Sequence, residues 1–328
     1  MAEVLFIPPA WPRITTSQAA FIPILIAGPY IFLYLSTATT SNITAHNQRD
    51  AMLVYPYDFT LFHPGYFCSS CHRPKPPRSK HCSICKACVQ KQDHHCIWIN
   101  NCVGRNNYLW FNLLLVSVSV VLAYGALLGY WILDSKLQEH FVPSELTRGS
   151  LTTKRWSTRF SWSEYVQCWS WVMGLEWRIG AVSLLAFLCF PLSTGFLVYH
   201  TYLVWAGMTT NESAKWSDWQ EDIDDGLVYR AEISQLRETF RPLPEDVEPR
   251  EEEILWPRFA RPKWWLIRTR DGEQPTKTVE KKNRGPGGDE NVEEPDMRWV
   301  KVKTLREVDN IYDLGFWRNL KDALFNRG

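Results

Sequence analysis

Residues 68–102 read CSSCHRPKPPRSKHCSICKACVQKQDHHCIWINNC. This window holds seven of the chain's nine cysteines and four of its eight histidines: His72, His81, His94 and His95. From Cys68 the spacing runs C-x2-C-x9-H-C-x2-C-x2-C-x4-D-H-H-C-x5-C. Structural zinc takes four ligands, and C-x2-C pairs suit its geometry. Two zinc ions therefore use eight groups where the sequence offers eleven. Three are surplus, and spacing alone does not say which. Surplus Cys and His side by side, led by Asp93, fit nucleophilic catalysis. A thiolate attacks, an imidazole takes the thiol proton, and a carboxylate fixes the imidazole's tautomer. A purely structural zinc module is the alternative on spacing alone. His72, directly after Cys71, reads as a bystander.

Outward from this window, three stretches carry no Asp, Glu, Lys or Arg: residues 19–38, 111–133 and 179–205. Each has the roughly 20 apolar residues that a helix needs to cross a bilayer. Pro23, Pro29 and Pro191 lie inside them and are expected to kink them. Residues 4–12, VLFIPPAWP, are apolar but too short to span and read as the tail of a helix. Residues 39–110 contain eight Lys or Arg against three Asp, and residues 134–178 contain six Lys or Arg. This weak positive-inside bias puts the cysteine cluster in the cytosol, where thiols stay reduced. Five Trp within 156–177 mark a segment lying in the opposite interface. The segment 271–296, rich in Gly, Pro, Glu and Lys, reads as disordered, and 304–325 regains helical signals. Cys168 reads as a loop thiol and Cys189 as a packing residue of the last span. A net charge of +1 argues against nucleic acid as a partner. We find no internal repeat and no cleavable signal peptide.

The spacing of Cys68 to Phe111 resembles the cysteine-rich domain of the DHHC protein S-acyltransferases (palmitoyltransferases). The likeness includes N-C-V-G-x-x-N-x-x-x-F, as Asn101, Cys102, Val103, Gly104, Asn107 and Phe111. T-T-x-E follows the last span as Thr209, Thr210, Asn211 and Glu212. N-x-Y-D-x-G-x-x-x-N follows near the end as Asn310, Tyr312, Asp313, Gly315 and Asn319. Ile97 in C-I-W-I-N-N-C, where most of the family has Pro, makes the chain similar to the fungal spore-wall-formation branch.

The resemblance implies an all-α polytopic membrane protein, a transmembrane helix bundle with a cytosolic two-zinc cysteine-rich domain. It assigns Cys68, Cys71, His81 and Cys88 to one zinc ion and Cys82, Cys85, His95 and Cys102 to the other. Cys96 is then the nucleophile, His94 its base and Asp93 the residue that orients His94. Acyl-coenzyme A, as palmitoyl-coenzyme A, is the implied co-substrate, with Arg78 and Lys80 in the basic run meeting its phosphates. Thr209, Thr210, Glu212, Asn310 and Tyr312 are implied as support, with a threonine hydroxyl near Asp93. Trp98 reads as packing the active loop on the membrane interface or in an ordinary core.

The implied division is a helix remnant at 1–18, spans at 19–38, 111–133 and 179–206, and a lumenal loop at 134–178. The linker 39–67, the zinc domain 68–110 and the tail 207–328 would be cytosolic. The implied partners are membrane proteins with a cysteine beside their span, such as SNAREs, at the endoplasmic reticulum membrane. Two rivals from other classes are a membrane ubiquitin ligase with a cross-braced zinc domain and a non-catalytic zinc scaffold.

Overall fold

Runs of Leu, Phe, Ala and Tyr without charge become helices, because only a helix pairs every backbone group within the segment. The computed structural model describes residues 2–141, 160–236, 252–281 and 290–325. Its helices are α1 (Ala2–Ala10), α2 (Thr16–Ala38), α3 (Gln48–Val54), α4 (Tyr108–Phe141), α5 (Trp162–Leu175), α6 (Trp177–Trp205), α7 (Thr210–Asp224), α8 (Ile233–Leu236) and α9 (Phe316–Leu324). Its strands are β1 (Phe67–Cys68), β2 (Arg73–Pro74), β3 (Lys80–Cys82), β4 (Ala87–Val89), β5 (His94–Cys96), β6 (Asn101–Val103), β7 (Val228–Glu232), β8 (Trp264–Arg268), β9 (Thr276–Lys281), β10 (Glu290–Pro295) and β11 (Val300–Lys301). The protein forms two compact units.

The first unit comprises residues 1–35 and 110–200. Helices α2, α4 and α6, of 23, 34 and 29 residues, are long and apolar enough to cross a membrane. Much of their apolar surface faces outward, as at Leu184, Phe187, Leu188 and Leu192. That is what a lipid-facing helix needs, since hydrocarbon offers no penalty to an exposed Leu. Contacts within the unit rest on small residues. A Cβ on Gly28 would lie 3.3 Å from Ser117 Cβ, and one on Gly129 would collide with Ser183. The hydroxyls of Ser119 and Ser193 are 2.8 Å apart. Arg13 donates two hydrogen bonds to Glu139, at 2.7 and 2.8 Å.

The apolar segment 4–12 lies within α1 and the 3-10 turn Trp11–Arg13. Phe6 and Ala10 bury against Ile22, Leu128 and Ile132. Cys168 does not sit in a loop. It lies in α5, buried beside Val172, because a capping box of Ser161 and Glu164 starts a helix there.

The second unit comprises residues 36–109 and 201–328. Its aromatic core includes Tyr55, Trp216, Trp219, Trp256, Leu266 and Tyr312. Here the all-α expectation is corrected. The cysteine-rich segment folds as three antiparallel hairpins, β1–β2, β3–β4 and β5–β6. The tail adds an antiparallel sheet of order β11-β7-β8. Two- and three-residue strands are too short for a period-2 pattern to register in sequence. The expected disorder at 271–296 is corrected too: β9 pairs antiparallel with β10. The β-branched Thr276, Thr278 and Val279 of TKTVEK favour a strand over the Gly, Pro and Glu composition around it. Residues 282–289 and 142–159, including Trp156 and part of the expected lumenal loop, lie outside the described residues.

Candidate functional site

The three hairpins share one backbone plan with a 14-residue period, which corrects the reading that no internal repeat exists. In each, a cysteine ends the first strand: Cys68, Cys82 and Cys96. Four residues later the turn closes on a left-handed residue, His72, Lys86 and Asn100, with φ of 52°, 52° and 45°. The next residue opens the second strand, in the register Cys68↔Arg73, Cys82↔Ala87 and Cys96↔Asn101. The ligand-type residues that return are His81 and His95, paired across their hairpins with Cys88 and Cys102. Three residues after the strand-ending cysteine stand Cys71, Cys85 and Ile99.

The repeat explains how two metal sites interleave. The turn of the first hairpin (Cys68, Cys71) meets the body of the second (His81, Cys88). The turn of the second (Cys82, Cys85) meets the body of the third (His95, Cys102). The four donor atoms of each cluster lie within 4.8 Å of one another. His81 Nδ1 is 3.5, 3.3 and 3.9 Å from the sulfurs of Cys68, Cys71 and Cys88. His95 Nδ1 is 3.6, 3.4 and 3.7 Å from those of Cys82, Cys85 and Cys102. A tetrahedral zinc ion with ordinary bond lengths separates sulfur and nitrogen ligands by about 3.6 Å. Two Cys3His sets at these distances fit that ion. His72 is exposed and belongs to neither cluster.

The third hairpin's turn has no fourth hairpin to meet, and Cys96 joins neither of the two Cys3His clusters. Its neighbours are of another kind. His94 Nδ1 donates to Asp93 Oδ2 at 2.7 Å. Asp93 is 2% exposed and accepts two more bonds at 2.8 Å each, from the backbone N–H and the hydroxyl of Thr210. Thr210 is the first residue of α7, so the carboxylate sits at a helix N-terminus, where partial positive charge favours it. Burial opposes charge on His94, but its bonds to Asp93 and Cys96 carry its pKa up to about 9. Burial pushes the Cys96 thiol up; hydrogen bonds from His94 and from the amides of Ile99 and Trp98 outweigh it and bring it below the ordinary value.

Thr209 and Glu212 form a capping box at the start of α7. The Thr209 hydroxyl also donates to the Gln92 carbonyl at 3.1 Å. Glu212 accepts from Arg78 at 2.7 and 2.6 Å, with Arg78 only 1% exposed. Arg78 is therefore not a surface cation waiting for phosphate. Its charge neutralises a buried carboxylate, and its guanidinium lies 4.4 Å from the Tyr312 ring centroid. Lys80 is exposed, with its ammonium 3.0 Å from Asn211 Oδ1.

The closing N-C-V-G-x-x-N residues tie the third hairpin to the end of α2. The Asn101 amide donates to the carbonyls of Ser36, Thr37 and Thr39 at 3.3, 3.3 and 2.9 Å. Those are carbonyls that a helix end leaves without partners. Asn107 adds a bond to the Ser36 carbonyl at 3.1 Å. At the hairpin tip Trp98 is 85% exposed, which removes core packing as its role. In the tail, the Asn310 and Asn319 amides donate to the carbonyls of Ala206 and Trp205, and the Tyr312 hydroxyl donates to the Pro56 carbonyl.

Two sulfur-rich clusters thus stand beside a separate Cys–His–Asp set, in a chain with three helices long and apolar enough to cross a membrane. Residues 61–217 match the DHHC palmitoyltransferase family. The chain belongs to this family, whose members are acyltransferases that palmitoylate proteins. It is 45% identical over 323 residues to the palmitoyltransferase swf1 of Emericella nidulans, covering 98% of this chain and 75% of that protein. The Aspergillus fumigatus palmitoyltransferase swf1 is 44% identical over 324 residues, with 98% and 82% covered. The Saccharomyces cerevisiae palmitoyltransferase SWF1 is 29% identical over 309 residues, with 92% and 74% covered.

The reading from sequence missed Asp322 and Lys91. The ammonium of Lys91 lies 2.6 Å from Asp322 Oδ2, and the Tyr55 hydroxyl donates to the same carboxylate at 2.9 Å. No spacing rule links residues 231 apart. The only hint was an acidic residue on the apolar-patterned helix after N-x-Y-D-x-G.

Proposed function

We propose that this palmitoyltransferase carries the acyl group as a thioester on Cys96, taking it from long-chain acyl-coenzyme A and passing it to cysteines of membrane proteins. The supporting observation is a thiol outside both metal clusters, beside an imidazole whose Nδ1 is held by a buried carboxylate at 2.7 Å. In the first half, His94 accepts the Cys96 thiol proton and the sulfur attacks the thioester carbonyl. A carbon–sulfur bond forms on Cys96, the bond to the coenzyme A sulfur breaks, and His94 returns the proton to the departing thiolate. In the second half a substrate thiol gives its proton to His94 and attacks the Cys96 thioester. Cys96 leaves as the thiolate and regains that proton.

Asp93 keeps the His94 proton on Nδ1, which leaves Nε2 for the thiol. Cys68, Cys71, His81 and Cys88 would hold one zinc ion, and Cys82, Cys85, His95 and Cys102 the other. Zinc, when bound, supplies cross-links that hold the hairpins rigid.

For acyl-coenzyme A, two features support the reading. An apolar cavity of about 150 Å³ in the first unit is lined by Phe6, Ile22, Tyr124, Leu128 and Ala186 among others. A palmitoyl chain gains roughly 0.8 kcal/mol for each methylene it buries. In the second unit a groove of about 1120 Å³ carries Lys75, Lys80, Lys215 and Arg268. The buried Asn211 amide nitrogen on this groove has no hydrogen-bond partner, so Lys80 and Asn211 suit a phosphate where Arg78 does not.

In the same reading, with spans at 19–38, 111–133 and 179–206, residues 39–110 and 207–328 lie in the cytosol and 134–178 in the lumen. Substrates with cysteines beside their spans, SNAREs among them, and residence in the endoplasmic reticulum belong to the same reading.

The test is incubation with labelled palmitoyl-coenzyme A. The wild-type chain acquires a hydroxylamine-labile label, and Cys96→Ala acquires none while keeping its zinc. Label on Cys96→Ala, or zinc lost with it, sinks the assignment of Cys96.

A further inference from the structure

The cysteine-rich segment builds the same metal-binding turn three times and uses it for metal twice. In the first two turns the strand-ending sulfur receives hydrogen bonds from the amides two and three residues on: Ser70 and Cys71 for Cys68, Ile84 and Cys85 for Cys82. The Cys85 amide is 3.4 Å from Cys82 Sγ. Such amide-to-sulfur bonds accompany thiolates that bind metal, because they spread the charge the ion would otherwise carry alone. The third turn keeps this arrangement, with the amides of Trp98 and Ile99 on Cys96. It keeps the left-handed closing residue, Asn100, and the strand register. His94, two residues before Cys96, bonds to its sulfur. Besides the His and Cys of a next hairpin, the turn itself lacks one element: where Cys71 and Cys85 offer a second sulfur, Ile99 offers a buried hydrocarbon that is 1% exposed.

We propose that Ile99 is the residue that keeps Cys96 a nucleophile and not a ligand. The third hairpin is a metal-binding turn held open by one apolar side chain. A thiolate with two amide donors and an imidazole at hand lacks only one further ligand to hold zinc. Two sulfurs and one imidazole, with water in the fourth position, are a known complete set for that ion. Where zinc fills the two Cys3His clusters, a nucleophile in the same segment must be unable to compete for it. A hydrocarbon three residues after Cys96 denies a third ion its second sulfur and excludes water from the turn. This rests on the reading of Cys96 as the acylated residue.

The test loads purified full-length protein with cobalt(II), whose near-ultraviolet and visible bands report thiolate coordination. Ile99→Cys is expected to bind one more cobalt ion per chain than wild type, with added thiolate-to-cobalt absorption. Self-acylation by palmitoyl-coenzyme A should fall to background. Adding Cys96→Ser to that variant should remove the extra ion. Ile99→Ser, which opens the same space without a thiolate, should bind the wild-type number of ions and keep more acylation than Ile99→Cys. Ile99→His offers a ligand of nearly the size of isoleucine and decides the matter where the smaller cysteine leaves the hairpin unfolded. Wild-type cobalt stoichiometry in both Ile99→Cys and Ile99→His overturns the proposal. The cobalt count decides it even where the wild-type chain takes no acyl label, a result that would instead sink the thioester reading.

Discussion

Asp58 is a single residue that couples stability to pH. It is buried, and its Oδ1 accepts three backbone N–H groups, from Thr60, Leu61 and Phe62 at 3.1, 2.9 and 2.7 Å. Burial pushes its carboxyl up to about 6, against the pull of those amides. The folded protein therefore holds this proton more tightly than the unfolded chain, where an aspartate titrates near about 3.9. The resulting stabilisation is fully present below about pH 4 and is lost as pH rises through about 6. Two pKa units correspond to about 3 kcal/mol. Asp58→Asn keeps an acceptor on the three amides and removes the charge. Its melting temperature should exceed that of wild type near neutral pH, with the gap closing as the pH falls toward 4. A constant gap across that range would show that Asp58 does not titrate as its burial dictates. Arg78 is a buried cation whose partner is remote in sequence. A basic run reads as surface charge until its partner is known, and Glu212 lies 134 residues away.

Each metal cluster joins one hairpin's turn to the next hairpin's body, so the two clusters are unequal in consequence. Cys68 and Cys71 tie down only the first turn, whereas Cys82 and Cys85 hold the hairpin that carries Cys96. Cys68→Ser should cost one zinc and leave partial self-acylation. Cys102→Ser should abolish self-acylation, because it loosens β6, the strand paired with His94, His95 and Cys96. Zinc analysis and acyl labelling side by side check this, and equal loss in the two variants would contradict the chained arrangement. At this scale the sequence was readable in part. Charge-free length exposes α2, α4 and α6, and ligand arithmetic leaves three donors spare. Which three, it does not say, because the 14-residue repeat is masked by Pro74, Ile99 and Leu109 at positions where a ligand would have displayed it. The hairpin strands, two or three residues long, also leave no periodicity to detect.

Across the whole chain, the last described helix completes a buried ionic set begun near the cysteine hairpins. Arg78 and Lys91 carry two positive charges; Glu212 and Asp322 carry two negative ones, and all four are nearly inaccessible. Asp322 also lies 3.8 Å from Arg78. Removing one member of such a set leaves an uncompensated buried charge, at about 3–5 kcal/mol. Asp322→Asn should therefore lower thermal stability strongly, and adding Lys91→Met should restore most of it by removing a charge of the opposite sign. Calorimetry on the purified variants checks both. No recovery in the double variant would mean that Asp322 acts through some other contact.

The same closure bears on protein synthesis. A ribosome has made both Cys3His clusters and Cys96 well before it reaches Asp322. A message with a stop codon between Glu212 and Asp322 yields a chain with every cysteine in place and one stranded cation, Lys91. Such a product is charge-unbalanced at its centre, so it is a poor fold and a ready target for degradation. Only a chain translated through α9 pairs Lys91 and Tyr55 with Asp322.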